Sequence, residues 1–174
     1  MNRPGELHNH TLAVLVENKA GVLARVADLF ARRGYNIVSL AVAPTDDVRF
    51  SRITIVVNVE TSPLEQIVKQ LFKLINVVEI AEMVPDESVT RELIVVNVDV
   101  STDRGAELLE LVNQMHGRVL HEAGDHVTVS LAGDPTEVDT IEERLRSFSI
   151  VNLQRTGRIA LPKVGATVPL TRVS

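Results

Sequence analysis

The 174-residue chain has no cysteine and no tryptophan, and aromatic residues make up only 3% of it. Without cysteine, disulfides, thiolate nucleophiles and zinc–thiolate centres are excluded. One Tyr and four Phe are too few to build stacking platforms for bases or sugars. No apolar run reaches the ~18 residues that a membrane span needs. Met1 to Glu6 lacks the apolar stretch of a signal peptide. The expectation is a cytoplasmic protein that does not engage membranes. Acidic residues are absent from one region: none follows Glu143, whereas Arg144, Arg146, Arg155, Arg158, Lys163 and Arg172 do. That segment carries +6 and the remainder −11, for a net charge of −5. The net charge argues against a nucleic-acid partner. The basic segment reads either as a solvated tail or as a docking surface for an acidic partner.

Catalysis needs a nucleophile, a paired acid and base, or a cofactor, and the sequence offers no convincing set. His8 and His10 share a strand face and His121 and His126 flank a hairpin, with His116 elsewhere. Surface or edge histidines are a better reading of these than a metal site. Asp46-Asp47 suits a turn as well as it suits a divalent cation. Glu142 and Glu143 beside Arg144 and Arg146 read as a solvated helix flank. Neither catalytic nor metal-binding residues are assigned.

What the chain does have is periodicity. Hydrophobic residues form 45% of it, so its cores are built from Val, Leu and Ile. Thr11 to Val16 is apolar on both faces, as in a central strand. Leu23, Val26, Ala27 and Phe30 have helical spacing, predicting a helix over 21–33 closed by Gly34. Tyr35 to Ala43 and Arg52 to Val59 read as strands around a Pro44–Asp47 turn. Ser62-Pro63 predicts an N-cap and first helical position for a helix bearing Leu64, Ile67, Val68, Leu71, Phe72 and Ile75. Val77 to Val84 closes a βαββαβ set, which recurs after about 80 residues. Strands are predicted at Glu92 to Val100, 118–122, 126–131 and 149–155, and helices at 103–115 and 136–146. The fold class is α+β: two tandem ferredoxin-like βαββαβ domains. The predicted division is a tail at 1–7, domains at 8–85 and 86–160, and a mobile tail at 161–174. Domains of that size are marginally stable alone, which favours burial against a partner.

The junction of the first strand with the first helix, Glu17-Asn18-Lys19-Ala20-Gly21-Val22-Leu23, is the strongest functional signal. The first helical amides lack intrahelical partners and the helix dipole is positive there, so the junction suits a carboxylate. Asn and Gly also occur at helix starts merely to cap and turn. Energetics decide how much of a site this is. A metabolite sensor works at about −8 to −4 kcal/mol. A helix terminus supplies only ~0.3 to 2 kcal/mol, and charge-assisted hydrogen bonds ~1.5 to 3 each. Burial of a small aliphatic group adds ~1.5 to 3 kcal/mol. One open loop cannot supply all three, so a second surface must enclose the ligand. The start of the second strand, Asn36-Ile37, lies at the wrong end of the helix within one protomer and faces Asn18 only across a dimer.

This junction, followed by Arg33-Gly34-Tyr35-Asn36-Ile37, resembles an ACT domain, a small amino-acid-sensing module. RGYNIVSLAVAPTDD, then Ser51-Arg52-Ile53-Thr54-Ile55, LEQIVKQLFKLINVVEI and RELIVVNV, closely resemble the regulatory small-subunit family of acetolactate (acetohydroxyacid) synthase. The resemblance covers about residues 8–160 and is most specific in the first half. It implies a non-catalytic subunit that activates a large catalytic subunit and confers feedback inhibition by valine, with leucine or isoleucine as alternatives. The large subunit would carry thiamine diphosphate, magnesium and FAD and condense two pyruvates, or pyruvate with 2-oxobutyrate; this chain would carry no cofactor. The implied effector residues are Asn18, Ala20, Gly21, Val22 and Leu23 from one protomer, with Asn36 and Ile37 from the other protomer of an ACT homodimer. Backbone amides would hold the carboxylate, Asn side chains the ammonium, and Val22 and Ile37 would flank the aliphatic group. Position 24 is Ala where some relatives have Ser. A stand-alone amino-acid-sensing transcriptional co-regulator is the alternative, disfavoured by the negative charge and the lack of a helix-turn-helix pattern.

Overall fold

A computed structural model describes residues 8–101, 104–166 and 170–172. The expected N-terminal tail, 1–7, lies outside the described residues. The chain divides into two compact units: residues 1–89 with 158–174, and residues 90–157.

The first unit contains β1 (His8–Glu17), α1 (Val22–Arg32), β2 (Ile37–Pro44), β3 (Phe50–Val59), α2 (Thr61–Leu71) and β4 (Val77–Glu82). All strand pairs are antiparallel, and β1 is central, between β3 and β4. Position pairs Leu12–Ile55 and Val14–Ile53 lie opposite each other, so one pleat face is continuously aliphatic. Val22, Val26 and Phe30 of α1 and Leu64, Ile67 and Leu71 of α2 close over that face in a single core. Their spacing of three or four residues places them on one side of each helix.

The end of α1 has a defined stop signal. Gly34 takes φ of +69°, where a side chain is disfavoured. The amides of Gly34 and Tyr35 donate back to the carbonyls of Ala31 and Phe30, each at 3.1 Å. This paired arrangement satisfies the last helical carbonyls and turns the chain into β2. The second helix begins earlier than the Ser62-Pro63 signal predicts. It starts at Thr61 with Glu60 in the cap position, without a side-chain cap hydrogen bond. Pro63 therefore sits at the third helical residue, where its missing N–H is still one of the unpaired amides of the first turn.

The segment after residue 157 departs most from expectation. β9 (Ile159–Pro162) places Ala160 against Ala13, Ala81 and Met83. These residues lie on the sheet face opposite the helices. The Arg158 amide donates to Ser39 Oγ at 2.8 Å, and its guanidinium to Thr11 Oγ1 at 3.2 Å. Small side chains at 13 and 81 let a backbone approach this face closely. A last strand, β10 (Leu170–Arg172), pairs antiparallel with the free edge of β4. The sequence predicts no element after Pro162, because three alternating residues carry no detectable period; pairing is what makes them a strand.

The second unit contains β5 (Ser88–Asp99), whose first residues belong to the first unit, then α3 (Gly105–Gln114), β6 (Arg118–Ala123), β7 (His126–Gly133), α4 (Pro135–Leu145) and β8 (Ser149–Arg155). The strand order β6-β7-β5-β8 repeats that of β2-β3-β1-β4. Asp134 and Glu137 cap α4 reciprocally, with side-chain-to-amide bonds of 2.9 and 2.7 Å, ahead of Pro135 at the first helical position. Arg155 reaches Glu92, Asp139 and Glu142, so β8 is tied to β5 and α4. Several of the basic residues expected in a tail or docking surface are thus spent on contacts within their own unit.

Candidate functional site

The β1–α1 junction is a tight turn. The Val22 amide donates to the Lys19 carbonyl at 3.3 Å, and Gly21, third of the four residues, has φ +81° and ψ −5°. Those angles belong to the third residue of a type II turn, which only glycine adopts without strain. Gly21 is also the cap residue of α1, and no side chain caps the helix. The Arg25 amide is the first to bond back into the helix, to Gly21 at 3.1 Å. The amides of Leu23 and Ala24 have no backbone acceptor among the described residues. A Cβ added at Gly21 would meet no atom within 4 Å, so these donors border open space. Uncapped helix amides with access are what an anion requires.

Two consecutive residues hold this turn to its neighbours. The Asn18 amide donates to the Arg49 carbonyl at 2.7 Å and its side-chain NH2 to the Val48 carbonyl at 3.0 Å. Asn18 is thus a brace to the β2–β3 turn, not a helix cap. Its side-chain oxygen takes no donor among the described residues and remains an acceptor for an ammonium group. The Glu17 amide donates to the Asn76 carbonyl at 2.9 Å, and its carboxylate accepts from the Asn76 side chain. Arg25 donates to Asn76 Oδ1 at 2.7 Å. The Asn76 hydrogen bond, then that from Lys19, lowers the Glu17 pKa below the ordinary carboxylate value. Asn76 is buried, and together with Arg25 it braces the junction through contacts that sequence reasoning misses. The available signal was a lone Asn inside the otherwise apolar run LINVV.

Within the β2–β3 turn, Asp47 accepts from the Arg49 side chain and amide, which brings its pKa from 3.8 down to about 2. A lowered carboxyl pKa stabilises the fold above the unfolded value; that contribution disappears as pH falls from 3.8 toward 2. Removal of the guanidinium in Arg49→Ala is expected to return the Asp47 titration midpoint toward 3.8, as read by carboxyl carbon NMR. An unchanged midpoint would show that Arg49 is not its cause.

The seven residues assigned from sequence fall into two groups. Asn18, Ala20, Gly21 and Leu23 are exposed at the N-terminal end of α1, with Leu23 40% accessible. Val22 is only 5% accessible and belongs to the core. Its side chain turns into the core, and on this wall Leu23 is the accessible aliphatic group. Asn36 is exposed and Ile37 half-buried at the C-terminal end of α1. The eleven residues of α1 separate the groups by about 16 Å. Two clefts, of about 290 Å³ between α1 and α2 and about 430 Å³ between α3 and α4, include none of the seven. Elsewhere, His10 Nδ1 pairs with Glu82 at 2.8 Å. Among the described residues no three His, Asp or Glu side chains gather as metal ligands.

Fold and junction together define an ACT-type regulatory domain. Residues 12–79 match the AHAS small subunit-like ACT domain, and residues 91–164 match the family described as the small subunit of acetolactate synthase. The chain belongs to the acetolactate synthase small-subunit family. It is 44% identical over 154 residues to the acetolactate synthase small subunit of Mycolicibacterium smegmatis, covering 88% of this chain and 91% of that one. It is 42% identical over 152 residues to a probable acetolactate synthase small subunit of Archaeoglobus fulgidus, covering 87% and 95%. The crystal structure of the Thermotoga maritima small subunit superposes with a TM-score of 0.83 at 31% identity, covering 90% of this chain and 98% of that one. The ACT fold fits a regulatory role, as the sequence resemblance implies.

Proposed function

We propose that this chain is a regulatory subunit that activates the thiamine diphosphate-dependent catalytic subunit of acetolactate synthase in the cytoplasm and makes it sensitive to valine. Thiamine diphosphate, magnesium and FAD belong to the catalytic partner. The first unit is the effector-binding domain. The observation that carries the reading is the Gly21 turn, with its unpaired Leu23 and Ala24 amides opening to free space. Asn36 and Ile37 complete the pocket from a second protomer.

Topology supports that division. β2 and β1 are both antiparallel to β3, so they run in the same direction. β2 is an edge strand with Val38 and Val42 exposed at 53% and 44%. Antiparallel pairing of two β2 edges brings the beginning of one β2, with Asn36 and Ile37, to the sheet end that carries the other protomer's Asn18 and Gly21. Such pairing also covers an edge that would otherwise invite aggregation. Valine then bridges the two protomers: carboxylate on the α1 amides, ammonium on Asn side chains, isopropyl group against Leu23 and Ile37. Coupling to the catalytic subunit is reciprocal in binding, so the state of the complex that valine favours also binds valine more tightly.

The test is enzyme activity of the catalytic subunit alone, with this chain, and with this chain plus valine, leucine or isoleucine. Activation by the chain and its reversal by valine are expected. A chain that turns over pyruvate unaided, or a catalytic subunit indifferent to it, would refute the reading.

A further inference from the structure

The two helix clefts carry opposite charge. The cleft between α1 and α2 is lined by Arg25, Arg32, Arg33 and Lys73 against Asp28. Asp28 pairs with Arg32, and Arg25 is held by Asn76. Arg33 and Lys73 are exposed and have no hydrogen-bond or ion-pair partner among the described residues. The cleft between α3 and α4 is lined by Glu107, Glu110 and Glu143 against Arg144. Glu107 pairs with Arg104, whereas Arg144 turns to Met115 Sδ and Gln114. Glu110 receives one bond, from Gln114 at 3.2 Å, and Glu143 has no partner among the described residues. Apolar side chains line both clefts: Leu29 and Leu74 in the first, Leu111 and Phe148 in the second.

We propose that the α1/α2 face of one copy docks on the α3/α4 face of another copy of this chain. Two uncompensated cations, Arg33 and Lys73, meet two uncompensated carboxylates, Glu110 and Glu143, over apolar surface. Identical faces repel one another, so the contact joins unlike faces and is heterologous. It is also distinct from β2-edge pairing, and its four facing charges, Arg33, Lys73, Glu110 and Glu143, lie outside the proposed effector pocket, so it stands or falls independently of that reading. Charge complementarity of this kind sets partner choice and makes association salt-dependent. Added to edge-paired dimers, it yields assemblies larger than a dimer.

Sedimentation velocity on the full chain tests this. Species beyond the dimer are expected at about 50 mM salt and their loss by about 500 mM. R33E/K73E and E110K/E143K should each weaken this association by at least about tenfold at low salt. The quadruple variant exchanges the charges of both faces and should restore association to within about threefold of the parent. Circular dichroism establishes that each variant is folded. The proposal is overturned if the parent chain never exceeds a dimer at low salt. It is also overturned if neither double variant weakens association, or if the folded quadruple variant fails to restore it.

Discussion

Gly21→Asp is expected to weaken valine binding by about 100-fold or more while the first unit remains folded. Two effects combine. Gly21 holds φ at +81°, and a left-handed backbone costs an L-residue about 1–2 kcal/mol, with Asp among the residues that tolerate it best. No atom lies within 4 Å of the new Cβ, so no clash adds to that cost, and a domain stable by about 5 kcal/mol survives it. The second effect falls on the ligand. A carboxylate fixed beside the α1 amides competes for them and repels valine's own carboxylate. Two like charges 4 Å apart cost up to about 4 kcal/mol near a protein surface, and each 1.4 kcal/mol is about tenfold in affinity. Gly21→Asn imposes the same backbone conformation without the charge and should lose much less. Calorimetric titration with valine separates the two variants. Equal affinities for parent and Gly21→Asp would remove the carboxylate from this turn.

Phe30→Ala is expected to destabilise the first unit by about 3–5 kcal/mol, most or all of the stability of a domain this size. Phe30 is 1% accessible, on the same helix as the 40% accessible Leu23. It is part of the core between the sheet and the helices. Leu23→Ala removes three carbons, half as many, from a surface position and should change stability by less than about 1 kcal/mol, yet lower valine affinity. Urea unfolding of both variants gives the comparison. Equal destabilisation would mean that Leu23 is a core residue and not part of a ligand wall.

These contrasts also mark what could be read from the residues before any coordinates. Periodicity located α1 through Val26 and Phe30, although the expected stripe began at Leu23, which is exposed, and the buried one begins at Val22; Gly34 located its end through a backbone angle. The same patterns repeated in the second half, so the double βαββαβ order was legible throughout. Ser62-Pro63 misled by two residues because a proline is tolerated anywhere in the first turn, and Glu60 starts the helix without a side-chain cap. The tight turn at the junction was legible from Asn18 and Gly21, but the contacts of Asn18 and the orientation of Val22 were not. Asn18 braces a distant turn, and Val22 faces inward because helix phase, set by Val26 and Phe30, leaves it no alternative. The partners of Asn76 were illegible for a different reason. Its partners Glu17 and Arg25 are 59 and 51 residues away, and such contacts exist only after the sheet has formed. The same holds for β10, whose strand character is conferred by β4.

The central claim is that one effector pocket draws residues from two protomers. Mixed dimers test it directly. A Gly21→Asp protomer keeps Asn36, and an Asn36→Asp protomer keeps Gly21. Each homodimer should fail to bind valine. A heterodimer of the two has one pocket carrying both changes and one pocket carrying neither. Titration of the purified heterodimer is therefore predicted to show one valine site of parental affinity per dimer. A heterodimer as inert as either homodimer would place the whole pocket within a single chain and contradict the account.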